Sequence, residues 1–265
     1  MRKMGFVNGF VALVLAASFA VPAAAEALSE TVHRTLNVKA GDELVLSNVN
    51  GSVKVSTWDR PQLRIVAEKH VKTGLSVSAK DALAQLVVAV GQDGGTVRVE
   101  TRHPRSSDGV FSWLTGSNVD AHVKYEITVP KAFNLNLRTV NGSVTIEGVS
   151  GTHQIATTNG SITTKETAGS LRLGTTNGSI SAELLSVQPG SEMAMHTTNG
   201  RINLTVPSTL RANLSASTTN GSIESDIPIT VAGSVSKRSI NGTLNGGGPE
   251  VRLRTTNGSI RVRSL

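Results

Sequence analysis

An Asn-Gly pair set in the same six-residue text recurs seven times in the second half of this chain, at Asn141, Asn159, Asn177, Asn199, Asn220, Asn241 and Asn257, with spacings of 18, 18, 22, 21, 21 and 16 residues. The surrounding text is nearly verbatim: Thr-Thr-Asn-Gly-Ser-Ile stands at 157–162, 175–180, 218–223 and 255–260, with close variants at 139–144, 197–202 and 239–244. A separate copy, Asn50-Gly51-Ser52-Val53, lies 91 residues before Asn141. Self-similarity at such a period is the mark of a fold built by stacking one small unit on the next.

Offsets from each Asn assign physical roles. Four and six residues before it stand mostly apolar side chains, as in Leu44/Leu46, Leu135/Leu137, Leu171/Leu173, Met193/Met195 and Val251/Leu253, and an aliphatic follows three residues after every copy. Alternation broken by a pair suited to positive φ predicts strand, tight turn, strand. His153 and Lys237 break the apolar rule and are read as local exceptions. In an antiparallel meander Asn-Gly would be the hairpin turn, and Gly151, Gly169, Gly190 and Gly233 the return turns. In a solenoid each repeat is one coil. The polar letters repeat as faithfully as the apolar ones, which a meander does not require. Coils stacked ~4.8 Å apart set Thr over Thr and Asn over Asn.

The favoured architecture is therefore all-β, a β-solenoid over residues 134–265, preceded by a β-rich N-terminal part, residues 26–133, that holds the first copy and caps one end. The turn residues of this reading are Asn50, Gly51, Asn141, Gly142, Asn159, Gly160, Asn177, Gly178, Asn199, Gly200, Asn220, Gly221, Asn241, Gly242, Asn257 and Gly258. Composition supports the division: Trp58, Phe111, Trp113, Tyr125 and Phe133 fall before residue 134, and no aromatic follows. Ala79–Ala89 suggests a short helix, while Leu86–Val90 could equally pair with Val97–Glu100 as a hairpin. Seven Asn-Gly pairs continue with Ser or Thr, but a turn in every coil explains them without glycosylation.

Residues 1–25 read as a cleavable secretory signal, with Arg2 and Lys3, an apolar stretch from Phe10 to Val21, and Ala23-Ala24-Ala25 before Glu26. The apolar run is shorter than the ~20 residues of a spanning helix. Losing Arg2 and Lys3 takes the formal charge from +7 to +5, as 24 basic residues then face 19 acidic ones. With no cysteine the chain has no disulfide, thiolate site or lipoprotein anchor. A periplasmic, secreted or cell-surface protein without a transmembrane segment is expected, and export argues against a nucleic-acid partner.

The expected partner is an acidic envelope polymer or an envelope protein, with the oligomeric state left open. Arg105, Phe111 and Trp113 sit in a glycine-punctuated loop, residues 103–117, that would either contact a partner or plug the solenoid end. Arg252, Arg254, Arg261 and Arg263, with Lys237 and Arg238, make the C-terminal coils basic. No enzyme is expected. The acids after residue 134 are sparse, Lys165 falls between the equivalent Glu147 and Glu183, and the six histidines lack metal spacing. No catalytic residue, metal ligand or cofactor is assigned.

Tyr125-Glu126-Ile127-Thr128-Val129-Pro130, followed by Leu135-Asn136-Leu137-Arg138-Thr139-Val140-Asn141-Gly142-Ser143-Val144, resembles a bacterial domain-of-unknown-function family provisionally called adhesins with β-strand repeats. Gly148-Val149-Ser150-Gly151, the Thr-Thr-Asn-Gly-Ser-Ile copies, and Asn50-Gly51-Ser52-Val53 leading into Trp58-Asp59-Arg60-Pro61 continue the likeness over nearly all of the chain. The resemblance implies a single-stranded parallel β-helix, right-handed, in an exported protein, and carries no chemistry. Two functions follow as expectations: a non-catalytic structural or binding protein of the cell envelope, or an envelope-stress module that binds peptides, lipid or a membrane partner.

Overall fold

The structure, a computed structural model, describes residues 26–73, 78–103, 119–186, 190–231 and 236–265. In chain order its elements are β1 (Glu26–Asn37), β2 (Glu43–Ser47), β3 (Val53–Trp58), β4 (Gln62–Thr73), α1 (Ala79–Gln85), β5 (Val87–Asp93), β6 (Thr96–Arg102), β7 (Val119–Pro130), β8 (Asn134–Arg138), β9 (Val144–Glu147), β10 (Ser150–Asn159), β11 (Ile162–Asn177), β12 (Ile180–Ser186), β13 (Met193–Asn199), β14 (Ile202–Val206), β15 (Ala212–Asn220), β16 (Ile223–Ser225), β17 (Ile229–Val231), β18 (Ser239–Leu244), β19 (Glu250–Asn257) and β20 (Ile260–Ser264). The fold is all-β apart from α1. That helix and the hairpin share the segment that sequence left open: α1 ends at Gln85, and β5 then pairs antiparallel with β6.

Each coil gives the strand before its Asn-Gly to one ladder and the strand after it to another. The first ladder runs β5-β6-β2-β8-β10-β11-β13-β19-β15-β18-β17, parallel from β6 to β15 and antiparallel at its ends. The second runs β1-β4-β7-β3-β9-β11-β12-β14-β20-β16, parallel from β7 onward. Strand β11 is long enough to serve both. Between the ladders lie inward rows of aliphatics, such as Leu44, Leu135, Leu171, Met193, Val251 and Leu214, all buried.

Order in space departs from order in sequence at both ends. The first copy, β2/β3, lies between β6/β7 and β8/β9, so Asn50 stacks directly on Asn141 despite the 91 intervening residues. At the far end the last coil, β19/β20, slides between β13/β14 and β15/β16. Asn241 and Gly242 do not form a coil corner as the repeat had suggested. They lie within β18, antiparallel to β15, where Asn241 faces Ser215. Lys237 breaks the apolar rule because its copy is no coil. His153 does belong to a coil, and it is fully buried in the row of Leu135 and Leu171.

Candidate functional site

At the corner, five of the six letters in Thr-Thr-Asn-Gly-Ser-Ile have a partner in the neighbouring coil. The first threonine is buried, and Thr157, Thr175, Thr197, Thr255 and Thr218 donate to the carbonyls of Gly142, Gly160, Gly178, Gly200 and Gly258 at 2.8–3.0 Å. The asparagines form one continuous amide ladder. Nδ2 of Asn141, Asn159, Asn177, Asn199, Asn257 and Asn220 each donates to Oδ1 of the Asn one coil back, at 2.7–2.8 Å. Ser143 and Ser161 accept the backbone N–H of Ser161 and Ser179, and Ser179 accepts that of Arg201. The isoleucine enters the core. Only the second threonine, as at Thr158, Thr176 and Thr219, turns its side chain out to solvent.

The glycine is needed for clearance more than for a left-handed backbone. A Cβ on Gly142, Gly160, Gly178, Gly200 or Gly221 would stand 1.9–2.2 Å from the carbonyl oxygen of the stacked glycine. Of the corner glycines, Gly51 at φ +118 and Gly258 at φ +159 have positive φ. The positive-φ turn read from sequence is therefore corrected to a close approach between coils.

Outward residues of the first ladder form rows across coils. One row reads Arg138, Ala156, Gly174, His196, Arg254 and the next reads Gln154, Arg172, Ala194, Arg252. Ala156, Gly174 and Ala194 have little or no side chain, so they floor a depression of about 560 Å³ rimmed by Gln154, Arg172, His196, Arg252 and Arg254. Glu192 holds two of these cations, with Arg172 at 3.0 Å and Arg252 at 3.3 Å, and Glu250 also pairs with Arg252. Arg254 has no acidic partner among the described residues. A larger depression of about 710 Å³, lined by Leu185, Pro207, Leu210, Arg211 and Pro249, carries no comparable charge.

The residues singled out from sequence do not assemble into one patch. Arg252 and Arg254 face outward from the first ladder, whereas Arg261 and Arg263 belong to the second, where Arg261 pairs with Glu224 at 3.0 Å. Arg105, Phe111 and Trp113 lie outside the described residues, as do residues 1–25 and Gly233. Glu147 is bracketed by Lys54 at 3.6 Å and Lys165 at 4.0 Å, a solvated salt-bridge face. Among the described residues no group of three or more His, Asp or Glu could hold a metal ion, and no helix is long and apolar enough to cross a membrane. Sequence reasoning missed Arg172 and His196; the signal was the register of Ala156, Gly174 and Ala194 between charged positions.

No curated protein matches the chain. Among solved structures, a protein of Clostridium sporogenes described provisionally as a cell adhesion protein aligns over 89% of this chain and 100% of its own, at 10% identity and a TM-score of 0.48. A provisional adhesin of Bacteroides fragilis aligns over 89% and 97%, at 12% identity and a TM-score of 0.30. A protein of Parabacteroides distasonis provisionally described as lipid binding aligns over 89% and 96%, at 14% identity and a TM-score of 0.29. A family model, Toastrack DUF4097, matches residues 27–263, and the chain belongs to that family.

Proposed function

We propose that this chain is exported by removal of residues 1–25 and that the remainder works as a non-catalytic, adhesin-like binding rod of the bacterial envelope, coiled as a right-handed β-helix. Its ligand on this reading is an acidic polymer such as an anionic polysaccharide. The observation that carries the reading is the depression over Ala156, Gly174 and Ala194. Its floor lets a chain approach the sheet closely, and Arg172, Arg252 and Arg254 supply guanidinium groups suited to carboxylate or phosphate. Glu192 holds Arg172 and Arg252 in place, lowering the ordering cost on binding. An extended ligand crossing several coils would add weak contacts.

The test is retention on an immobilised acidic polysaccharide against neutral dextran, at low and high salt. Arg172→Ser with Arg254→Ser should weaken binding about tenfold or more, because the ligand then forgoes two charge-assisted hydrogen-bonding groups. Gly174→Leu should weaken it without changing charge, because the side chain fills the floor. Unchanged retention by both variants, or equal retention on dextran, would refute the assignment.

A further inference from the structure

Among the described residues the first strand, β1, is the longest with a strand partner on one side alone. All 12 residues of β1 pair with β4 without a register break, and its other side has no strand partner among the described residues. The other terminal strands are shorter: β5 has 7 residues, and β16 and β17 have 3 each. Short edges are a common means by which sheet proteins avoid pairing with one another. β1 lacks that protection and contains neither proline nor bulge.

We infer that β1 pairs antiparallel with β1 of a second copy, about a two-fold axis at Val32. The even-numbered residues share the core side of the strand, opposite Val71, Lys69, Ala67, Ile65 and Leu63 of β4. An axis at Val32 sets Glu30 against Arg34 twice and Leu28 against Leu36 twice. On the other side Ser29 meets Thr35, and Thr31 meets His33. Moving the axis to Thr31 sets Leu28 against Arg34, and moving it to His33 sets Glu30 against Leu36. The self-complementarity is thus specific to one register. Opposite charges and apolar pairs directly across strands stabilise a sheet, and mismatched ones do not.

The side chains are poised for this. Leu28, Val32 and Leu36 are half-buried, so pairing removes apolar surface still in contact with water. Glu30 bonds Lys69 at 2.5 Å yet stays 52% exposed, leaving an oxygen for a second cation. Arg34 is exposed and has no acidic partner among the described residues. The result is one sheet running β7-β4-β1 in one copy and β1-β4-β7 in the other, with the two coiled parts pointing apart.

The test uses protein purified from a bacterial host that expresses the full chain, by sedimentation over a concentration series. A reversible dimer is expected, and Arg34→Glu should raise its dissociation midpoint about tenfold or more, because both ion pairs become repulsions. The chain has no native cysteine, so single cysteines report position cleanly. Val32→Cys should form a covalent dimer on oxidation, while Gln92→Cys in β5 and Glu224→Cys in β16 should not. Ser29→Cys and Thr35→Cys occupy exposed positions and guard against misfolding of the first variant; they should cross-link to each other when the two variants are mixed. Directly paired residues lie within disulfide reach. A monomer at every concentration, or a dimer that cross-links through Gln92 or Glu224, overturns the inference.

Discussion

A single buried histidine makes the stability of this protein depend on pH. His153 is fully buried between Leu135 and Leu171, its Nε2 is 3.3 Å from the Val149 carbonyl oxygen, and its Nδ1 has no hydrogen-bond partner. Burial pushes its pKa down to about 4, against the opposing pull of that carbonyl. An unfolded histidine titrates near ~6.5. Between the two values the unfolded chain binds a proton that the folded chain refuses, so stability falls as pH drops from 6.5 toward 4 and levels off below. At ~1.36 kcal/mol per pKa unit the loss attributable to His153 is about 3 kcal/mol. His153→Leu continues the aliphatic row and removes both the titration and the unpaired nitrogen. Chemical denaturation of both proteins at pH 7.5, 5.5 and 4 measures the effect, and subtraction cancels the other titrating groups. The variant should be the more stable at pH 7.5 by about 1 kcal/mol or more, and the gap should widen by about 3 kcal/mol at pH 4. A gap that does not change with pH would refute the reasoning.

Three further outcomes test the corner. Gly160→Ala should cost about 3 kcal/mol or more, since its Cβ would lie 2.2 Å from the Gly142 oxygen, while Gly174→Ala, with nothing within 4 Å, should lie within about 1 kcal/mol of the parent in the same denaturation assay. Thr197→Val keeps the volume but loses the 2.9 Å bond to Gly178, and should lower stability by about 1–2 kcal/mol. Asn241 stands outside the amide ladder, so peptide mapping after incubation at pH 8 should find it deamidated before the Asn-Gly pairs whose side chains are locked in the ladder.

The repeat text made the coil legible because its polar letters are as constrained as its apolar ones: Thr197 bonds a neighbouring carbonyl, Asn177 continues a ladder, Gly178 clears a backbone. What it could not convey is which coil stacks on which. The corners of Asn257 and Asn220 read Thr-Thr-Asn-Gly-Ser-Ile alike, so either fits above Asn199, and the choice depends on β15 pairing antiparallel with β18. For the same reason Asn241 passed for a corner although its strand runs the other way. The depression was hidden because Arg172 and Arg254 are 82 residues apart in sequence and approach only through the register of β11, β13 and β19. Its floor is written in Ala156, Gly174 and Ala194, which look featureless until they are aligned.

The placement of the last coil has a mechanical consequence. In a stack that ends where its chain ends, a pull on the terminus peels one coil from one neighbour, breaking bonds a few at a time. Here a load applied at Leu265 acts on β20 and β19, each hydrogen-bonded to strands on both sides. Extraction must disrupt two interfaces together and leave the coil of β15 and β16 without its parallel neighbour. A tether attached at this end would be gripped by strands on both sides, and the force needed to draw it out should exceed that for unravelling an exposed terminal turn.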